Sequence, residues 1–426
     1  MKFSAQFDLS GFDLKLFKRK MLNWTSQFGI FAYLDNNEYP NLLNRYELLV
    51  GAGASRQYRT AAALQSVFGS RWLFGHINYD YKNVLVAELG SSGTALLENE
   101  DLHFFEPEIV AYIPFGTTRL HLESELIPVE QVFEAIIHCE DETLQWRPPQ
   151  LQFHRILSSR EYQERVAIVQ EHIRKGDCYE LNLCVASYAR ECDINIPALF
   201  QILNHQNPAP FAALYQYEHF AALCSSPERF LAKQGPQLLA QPMKGTIRRS
   251  ADPIEDEALK QQLQSDVKER AENLMIADLM RNDLAISCRT GSIAVPELLR
   301  VYSFPTLHTM ISSITGTLKD EKSALQALLS AFPMGSMTGA PKRIVMEIID
   351  AIEPARRELY SGCIGYCNPA GDFDFNVVIR SLLYNRQTRT LSYQTGGAIT
   401  IDSVADKEWD EVQLKAVALE RLFNPS

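Results

Sequence analysis

The sequence predicts an α+β fold on three observations. Short strand-like runs punctuated by turn residues fill the first third, amphipathic helical stretches follow, and no strict strand-helix-strand alternation builds a doubly wound sheet. At 426 residues, 46% hydrophobic and 22% charged, the chain can bury a large core. No Gly/Ser-rich or Pro-rich linker divides it, which argues for one large domain or two tightly packed lobes.

The first strands are expected at Phe28 to Leu34, Tyr46 to Val50 and Trp72 to Tyr79, where β-branched and aromatic residues cluster between turn formers. The proline pair in Trp146-Arg147-Pro148-Pro149-Gln150 resists both helix and central strand, so the boundary between an N-terminal lobe (1–147) and a second region (151–426) is placed there. Ser158 and Glu161 have the spacing of a capping box, and Tyr162, Val166, Val169 and Ile173 follow at helical spacing before Gly176. A strand is expected at Cys178 to Leu183. A second helix is expected from Ile254, with Leu259, Leu263, Val267, Ala271 and Leu274 on one face. Strands return at Gly362 to Cys367, Phe375 to Leu383 and Thr390 to Thr395, and a helix from about Asp406 to Phe423 closes the pattern.

The formal net charge of -11 argues against nucleic acid as a partner, since phosphate neutralisation needs clustered Lys and Arg. The eight cysteines stand singly, without zinc spacing, and read as reduced thiols of a cytoplasmic protein. Residues 1–22 lack the apolar core of a signal peptide, and no run of about eighteen apolar residues suggests a membrane span.

Chemistry gathers at a few positions. Lys244, in Pro242-Met243-Lys244-Gly245-Thr246, follows a strand-like run and precedes a glycine turn, a setting in which an amine can serve as a nucleophile. Glu272 lies where an amphipathic helix turns into a nearly all-apolar run, so it needs an ion-pair partner or a cation. Glu408 and Glu411 share a helix face with Lys415, as a solvated helix would also arrange them; carboxylate oxygens alone suit Mg²⁺ better than zinc. Glu228 follows Pro227 at a strand end, where either a surface turn or a catalytic carboxylate fits. Arg380 ends an apolar strand and can clamp a carboxylate bidentately, and the small residues Gly396, Gly397 and Ala398 leave backbone amides open to an anion.

The order of these segments carries more than any one of them. Pro242 to Thr246, the run Lys268 to Asp283, Gly335 to Lys342, Tyr360 to Tyr366 and Ile379 to Ser381 together resemble the chorismate-utilising enzymes, which include anthranilate, isochorismate and aminodeoxychorismate synthases. The resemblance is dense from about Ser158 to Leu422 and loose before it. It implies an anthranilate-synthase-like fold of two antiparallel sheets packed face to face, helices outside, and the site in the cleft between them.

Within that family the residue before Gly-Thr sorts the chemistry. Lys244 matches the aminodeoxychorismate branch, whereas anthranilate synthases usually carry alanine. Isochorismate synthases place a lysine base where this chain has Glu180, so the water-adding reading loses its base. The resemblance implies an amino-group transfer of transaminase type, in which the C4 hydroxyl of chorismate gives way to ammonia for p-aminobenzoate and folate synthesis. Lys244 would attack C2, Glu228 would protonate the departing hydroxyl with His308 near it, and ammonia would enter at C4 and expel the lysine. Mg²⁺ would be held by Glu272 and Glu411 with Glu408 beside them. Tyr360, Arg380 and Gly396 to Ala398 would grip the enolpyruvyl carboxylate, and Gly245, Thr246 and Lys415 would line the ring-carboxylate side. This chemistry requires a raised Glu228 pKa and a lowered Lys244 pKa.

Two positions depart from the family pattern: Ala398 replaces the last glycine of the turn, with Thr400 in place of valine, and Glu180 stands where glutamine is common. The chain contains no Gly-x-Cys-x-Gly nucleophile turn, so ammonia is expected from solution or from a glutamine amidotransferase subunit in trans. The N-terminal lobe of relatives can bind tryptophan. The competing readings are an anthranilate synthase large subunit, an isochorismate synthase and a non-catalytic chorismate-binding subunit.

Overall fold

The computed structural model describes residues 2–40, 45–86, 88–140, 145–304 and 307–424. Among them the strands form two antiparallel sheets, one of 12 strands and one of 10. The first sheet passes from Phe3–Asp8 through Arg119–Ser124, Ile109–Pro114, Tyr46–Ala52 and Phe31–Asp35. It continues into Phe211–Tyr217, Phe220–Ser226, Ser381–Asn385, Thr390–Ile399 and Glu180–Ala189. The second passes from Met243–Arg248 through Leu307–Thr317, Gln237–Gln241, Arg229–Gln234, Phe373–Asn376 and Cys363–Cys367 to Leu73–Ile77, Leu102–Glu106 and Arg56–Tyr58. Segments before residue 147 therefore contribute to both sheets, zipped on where Phe31–Asp35 pairs with Phe211–Tyr217 and Leu73–Ile77 with Cys363–Cys367.

Strand alternation decides what packs where, because successive side chains take opposite faces. Ala213, Tyr215 and Tyr217 turn into a core shared with Phe74, Phe104 and Phe375 of the other sheet. Their neighbours Ala212 and Leu214 turn outward, under the helices that carry Phe17, Met21, Val132 and Leu199. Both faces of the first sheet are thus covered, as the α+β reading with outside helices expects. In the same way Leu181, Leu183 and Val185 face the helices Ser159–Lys175 and Lys342–Ile352, while Cys184 faces the inter-sheet core. Glu180 and Asn182 share the Cys184 parity and look into the cleft.

The helix Ser159–Lys175 forms as its sequence predicts: both hydrogen bonds of the Ser158/Glu161 capping box are made, Tyr162, Val166 and Val169 are buried, and Gly176 ends it at φ 83°. The helix expected from Ile254 differs. It breaks into Pro253–Ser265 and Val267–Ser287 at Asp266, whose side chain accepts from the Glu269 amide and caps the second helix. The predicted apolar face breaks with it: Leu263 is buried, but Val267 is 82% exposed and Leu274 51%, and Glu272, Asn273, Ile276 and Met280 point inward instead.

The strand expected from Phe375 to Leu383 is also two. Phe373–Asn376 belongs to the second sheet and Ser381–Asn385 to the first, and the chain crosses between them through Arg380 at φ 52°. Among the described residues no helix is long and apolar enough to cross a membrane.

Candidate active site

Two crossings between the sheets lie side by side and build the floor of the site. Ser226 ends a strand of the first sheet and Arg229 opens one of the second, with Glu228 between them; Arg380 occupies the other crossing. Backbone hydrogen bonds join the two, from the Val377 amide to the Glu228 carbonyl (3.1 Å) and from the Ser225 amide to the Arg380 carbonyl (3.3 Å). Glu228 is 4% exposed, and burial, opposed by the Ser336 hydroxyl and the Lys244 charge, pushes its carboxyl up to about 7. Ser336 Oγ donates to Glu228 Oε1 at 2.6 Å. This residue sits in the Gly335 to Lys342 segment, but nothing in its spacing says which carboxylate it meets.

Arg380 keeps solvent-accessible surface while protein packs densely around it, the condition of a side chain on the wall of a recess. That crowding lowers its pKa, against the pull of the Glu228 carboxylate and Tyr39.

Lys244 enters from the other wall. Its strand, Met243–Arg248, carries a bulge between Lys244 and Thr246, with Gly245 at φ +81° and its carbonyl held by Thr309 Oγ1 at 3.0 Å. The glycine turn expected from sequence is this bulge, which re-aims the lysine out of the strand's plain alternation. A Cβ at Gly245 would lie 2.9 Å from Glu269 Oε2, so the helix Val267–Ser287 approaches closely there. Lys244 Nζ donates to Glu180 Oε1 at 2.9 Å, an ion pair in which the lysine side chain is 13% exposed and the glutamate 1%. Burial pulls the lysine pKa down, but Glu180, Glu272 and Glu228 outweigh it, so the amine is held above its ordinary value. The expected raising of Glu228 is therefore present, whereas the expected lowering of Lys244 is reversed, because three carboxylates surround one ammonium.

Glu272 lies on the inward face of its helix, 7% exposed, with Oε1 lacking a hydrogen-bond partner. Burial pushes it up to about 7, opposed by the Lys244 charge. Lys268 Nζ stands 3.7 Å from Glu272 Oε1 and 3.7 Å from Glu408 Oε1, a cation between two buried carboxylates that sequence reasoning missed although its i,i+4 relation to Glu272 was visible. A Cβ at Gly397 would be 3.6 Å from both Glu408 Oε2 and Glu411 Oε1, an ordinary contact distance, so the final helix, Ala405–Glu420, brings both glutamates against the strand.

Lys415 Nζ donates to Gly396 O (2.8 Å) and Glu411 Oε1 (2.7 Å). Burial raises and the Lys415 charge lowers the Glu411 pKa, with a net lowering. Among the described residues no three acidic, imidazole or thiol groups form a ready metal cage. The donor set nevertheless has the chemistry of a hard divalent-cation site: Glu272 Oε1 is buried without a hydrogen bond and meets Lys268 at 3.7 Å, the same ammonium neighbours the buried Glu408, and Glu408 and Glu411 both approach Gly397.

Gly396, Gly397 and Ala398 pair with Cys184, Leu183 and Asn182 on one side. On the other side the pairing with Ser381–Asn385 ends at Leu383 opposite Ser392, so among the described residues no second strand pairs with that edge. Tyr360 is buried against Cys184, whose sulfur would be 2.7 Å from a Cβ at Gly396, so tyrosine and glycine edge are brought together. Thr246 is exposed on the lysine's strand. His308 is placed differently: its ring is buried, with Nδ1 2.8 Å from Ser303 Oγ and Nε2 3.1 Å from Asp256 Oδ1, so both nitrogens are committed to the helix Pro253–Ser265 and the strand Ala294–Ser303.

A model of the chorismate binding enzyme family matches residues 38–421. The chain is 43% identical over 264 residues to a probable chloroplastic aminodeoxychorismate synthase of Oryza sativa subsp. japonica, covering 61% of this chain and 29% of the relative. It is 41% identical over 256 residues to aminodeoxychorismate synthase component 1 of Escherichia coli K12, covering 60% of this chain and 56% of the relative. In each case it spans less than two thirds of the relative's length. The crystal structure of anthranilate synthase component I from Streptococcus pneumoniae TIGR4 superposes with a TM-score of 0.79 at 22% identity, over 90% of this chain and 94% of that one, and establishes the shared fold. By the family match across nearly its whole length, the chain belongs to the chorismate-binding enzymes.

Proposed function

We propose that this chain aminates chorismate at C4, giving 4-amino-4-deoxychorismate with ammonia delivered by a glutamine amidotransferase partner or taken from solution. The observation that carries the reading is Lys244: its amine reaches, from the second sheet, into a recess walled by Glu180, Glu228 and Glu272. The names of the relatives above support the same branch.

Hydroxide is a poor leaving group and departs from an allylic carbon only as it is protonated. Glu228, buried and with a pKa near 7, is suited to give that proton, and the Ser336 hydroxyl orients it. The Lys244 nitrogen forms a bond to C2 across the diene as water leaves C4. Ammonia then bonds to C4, and the C2–N bond breaks to return the lysine. One hard displacement becomes two easier ones.

Glu272 and Glu411, with Glu408 beside them, would hold Mg²⁺, which when bound neutralises the ring carboxylate. Lys415, Gly245 and Thr246 line that side. Tyr360, Arg380 and the open edge at Gly396 to Ala398 hold the enolpyruvyl carboxylate. We place His308 outside the proton transfers, as a support of the lysine's strand.

Purified protein incubated with chorismate, MgCl2 and ammonium, then with a lyase, is expected to form p-aminobenzoate. Anthranilate or isochorismate as the main product would sink the reading. Lys244→Ala is expected to lose C4 amination, and mass spectrometry of wild type trapped with chorismate should find the adduct on Lys244.

A further inference from the structure

We propose that Glu180 is the catalytic base that takes the proton from the Lys244 ammonium and returns it at the end of the turnover. The inference rests on the reading of Lys244 as the nucleophile and adds to it a residue that the chemistry otherwise lacks. A lysine held as an ammonium cannot attack carbon: its lone pair is in an N–H bond. Something must receive that proton inside the recess.

The geometry singles out one acceptor. Glu180 Oε1 is 2.9 Å from Lys244 Nζ, a direct hydrogen bond along which a proton can pass. Its second oxygen, Oε2, is buried without a hydrogen-bond partner, so the carboxylate is only half satisfied by the lysine. The backbone that carries the carboxylate is also tightly packed. Glu180 opens the strand Glu180–Ala189, pairs with Ala340, and packs its carbonyl so tightly on Gly339 that a Cβ there would come within 2.1 Å.

The other charges facing Lys244 are Glu272 and Glu269 from the helix Val267–Ser287, Glu228 from the crossing and Glu411 from the final helix; Glu180 in turn faces Lys244 and Glu272. Glu228 must keep its own proton for the leaving hydroxyl. Glu272 is committed to the cation site, and among the described residues neither it nor the others hydrogen-bonds Nζ.

Transfer breaks one N–H bond of Lys244, leaves its electron pair on nitrogen, and forms one O–H bond on Glu180. An ion pair becomes a neutral amine beside a neutral acid, and in a buried, water-poor site this exchange loses two opposed charges rather than creating any. The amine then attacks C2 and becomes a secondary ammonium. When ammonia bonds to C4 the C2–N bond breaks, its electron pair returns to Lys244, and the proton stored on Glu180 restores the ion pair. Glu228, left ionised by the departing water, recovers a proton from the new C4 ammonium. Every proton is accounted for without an outside acid or base.

This internal transfer has a signature that a merely structural glutamate does not. Because the proton stays within the pair, the pair adds no pH dependence to adduct formation. In Glu180→Gln the ammonium must lose its proton to solvent, so the ratio of variant to wild-type adduct-forming rate should rise about tenfold per pH unit while the amine is mostly protonated. Taking the ratio cancels the titration of Glu228.

The test is rapid-quench intact-mass measurement of the Lys244 adduct, with chorismate and MgCl2 but no ammonia, from pH 6 to 9 on wild type, Glu180→Gln and Glu180→Asp. A rising ratio for glutamine, with a flat ratio for aspartate, supports the inference. A flat ratio for glutamine overturns it while leaving Lys244 as nucleophile. Should the glutamine variant fail to fold, wild type alone decides below pH 7, where Glu228 keeps its proton: a flat rate supports internal transfer, and a tenfold rise per pH unit would mean that solvent takes the proton. Absence of any wild-type adduct overturns the reading of Lys244 and this inference together.

Discussion

Lys244 and Glu180 stand on different sheets and meet in a 2.9 Å ion pair across the cleft, so the contact exists only once both sheets have packed. The same recess contains two carboxyl groups with pKa values near 7, Glu228 and Glu272, and each makes a distinct prediction.

Glu228 is needed in its protonated form. Amination is therefore expected to fall as pH rises through about 7, and Glu228→Gln should lose roughly 10²–10⁴-fold in kcat with chorismate binding retained. Initial rates over pH 5.5 to 9, together with chorismate titrations, check this. An unchanged alkaline limb in the variant would contradict the role.

Ser336 supplies the hydrogen bond that favours ionised Glu228. Removing it in Ser336→Ala leaves burial less opposed, so the alkaline limb should move upward by about one pH unit, the equivalent of roughly 1.4 kcal/mol. A downward shift in the kcat profile would show that the hydroxyl serves another group.

The Glu272 pKa is raised on folding, so the native state binds more protons than the unfolded chain between about 4.5 and 7, and stability from this group falls as pH rises through that window. Added Mg²⁺ is expected to recover the loss. Thermal melts at pH 8 should rise with MgCl2 in wild type and not in Glu272→Gln, and the variant alone should melt at or above metal-free wild type. EDTA should abolish amination in the wild-type enzyme.

His76 and His103 are buried, with pKa values depressed by burial to about 4 and about 2. The unfolded chain takes up protons near 6.5 that the native state refuses, so stability is full above that pH and is lost below it. His76 alone contributes a loss on the order of 2 kcal/mol by pH 5. Melting temperatures from pH 7.5 to 4.5 should fall, and less steeply in His76→Gln.

Much of this architecture is legible in the sequence because it is local. The Ser158/Glu161 cap, Gly176 and the alternating strands state their own geometry. What could not be read depends on distant partners. Arg380 interrupts an apolar run because the chain changes sheets there, whereas the break at Asp266 is local, its side chain capping the Glu269 amide three residues on, a signal that the apolar spacing runs straight through. In the sequence Glu180 stands out as a departure from the family pattern and as the replacement of a lysine base, not as a partner of Lys244. A carboxylate opening the apolar strand Glu180–Ala189 must have a partner, but nothing in sequence says that the partner is 64 residues away on another sheet. The ordered motifs located the lysine and the glutamates; the reversal of the Lys244 pKa needed their mutual positions.

The interleaving of early and late segments has a consequence for how the molecule is made. Phe31–Asp35 emerges from the ribosome long before Phe211–Tyr217, and Leu73–Ile77 longer still before Cys363–Cys367, so both early strands wait with one edge uncovered. Such non-local pairing slows folding and prolongs exposure of apolar edges, which makes a nascent chain of this design a natural client for chaperones.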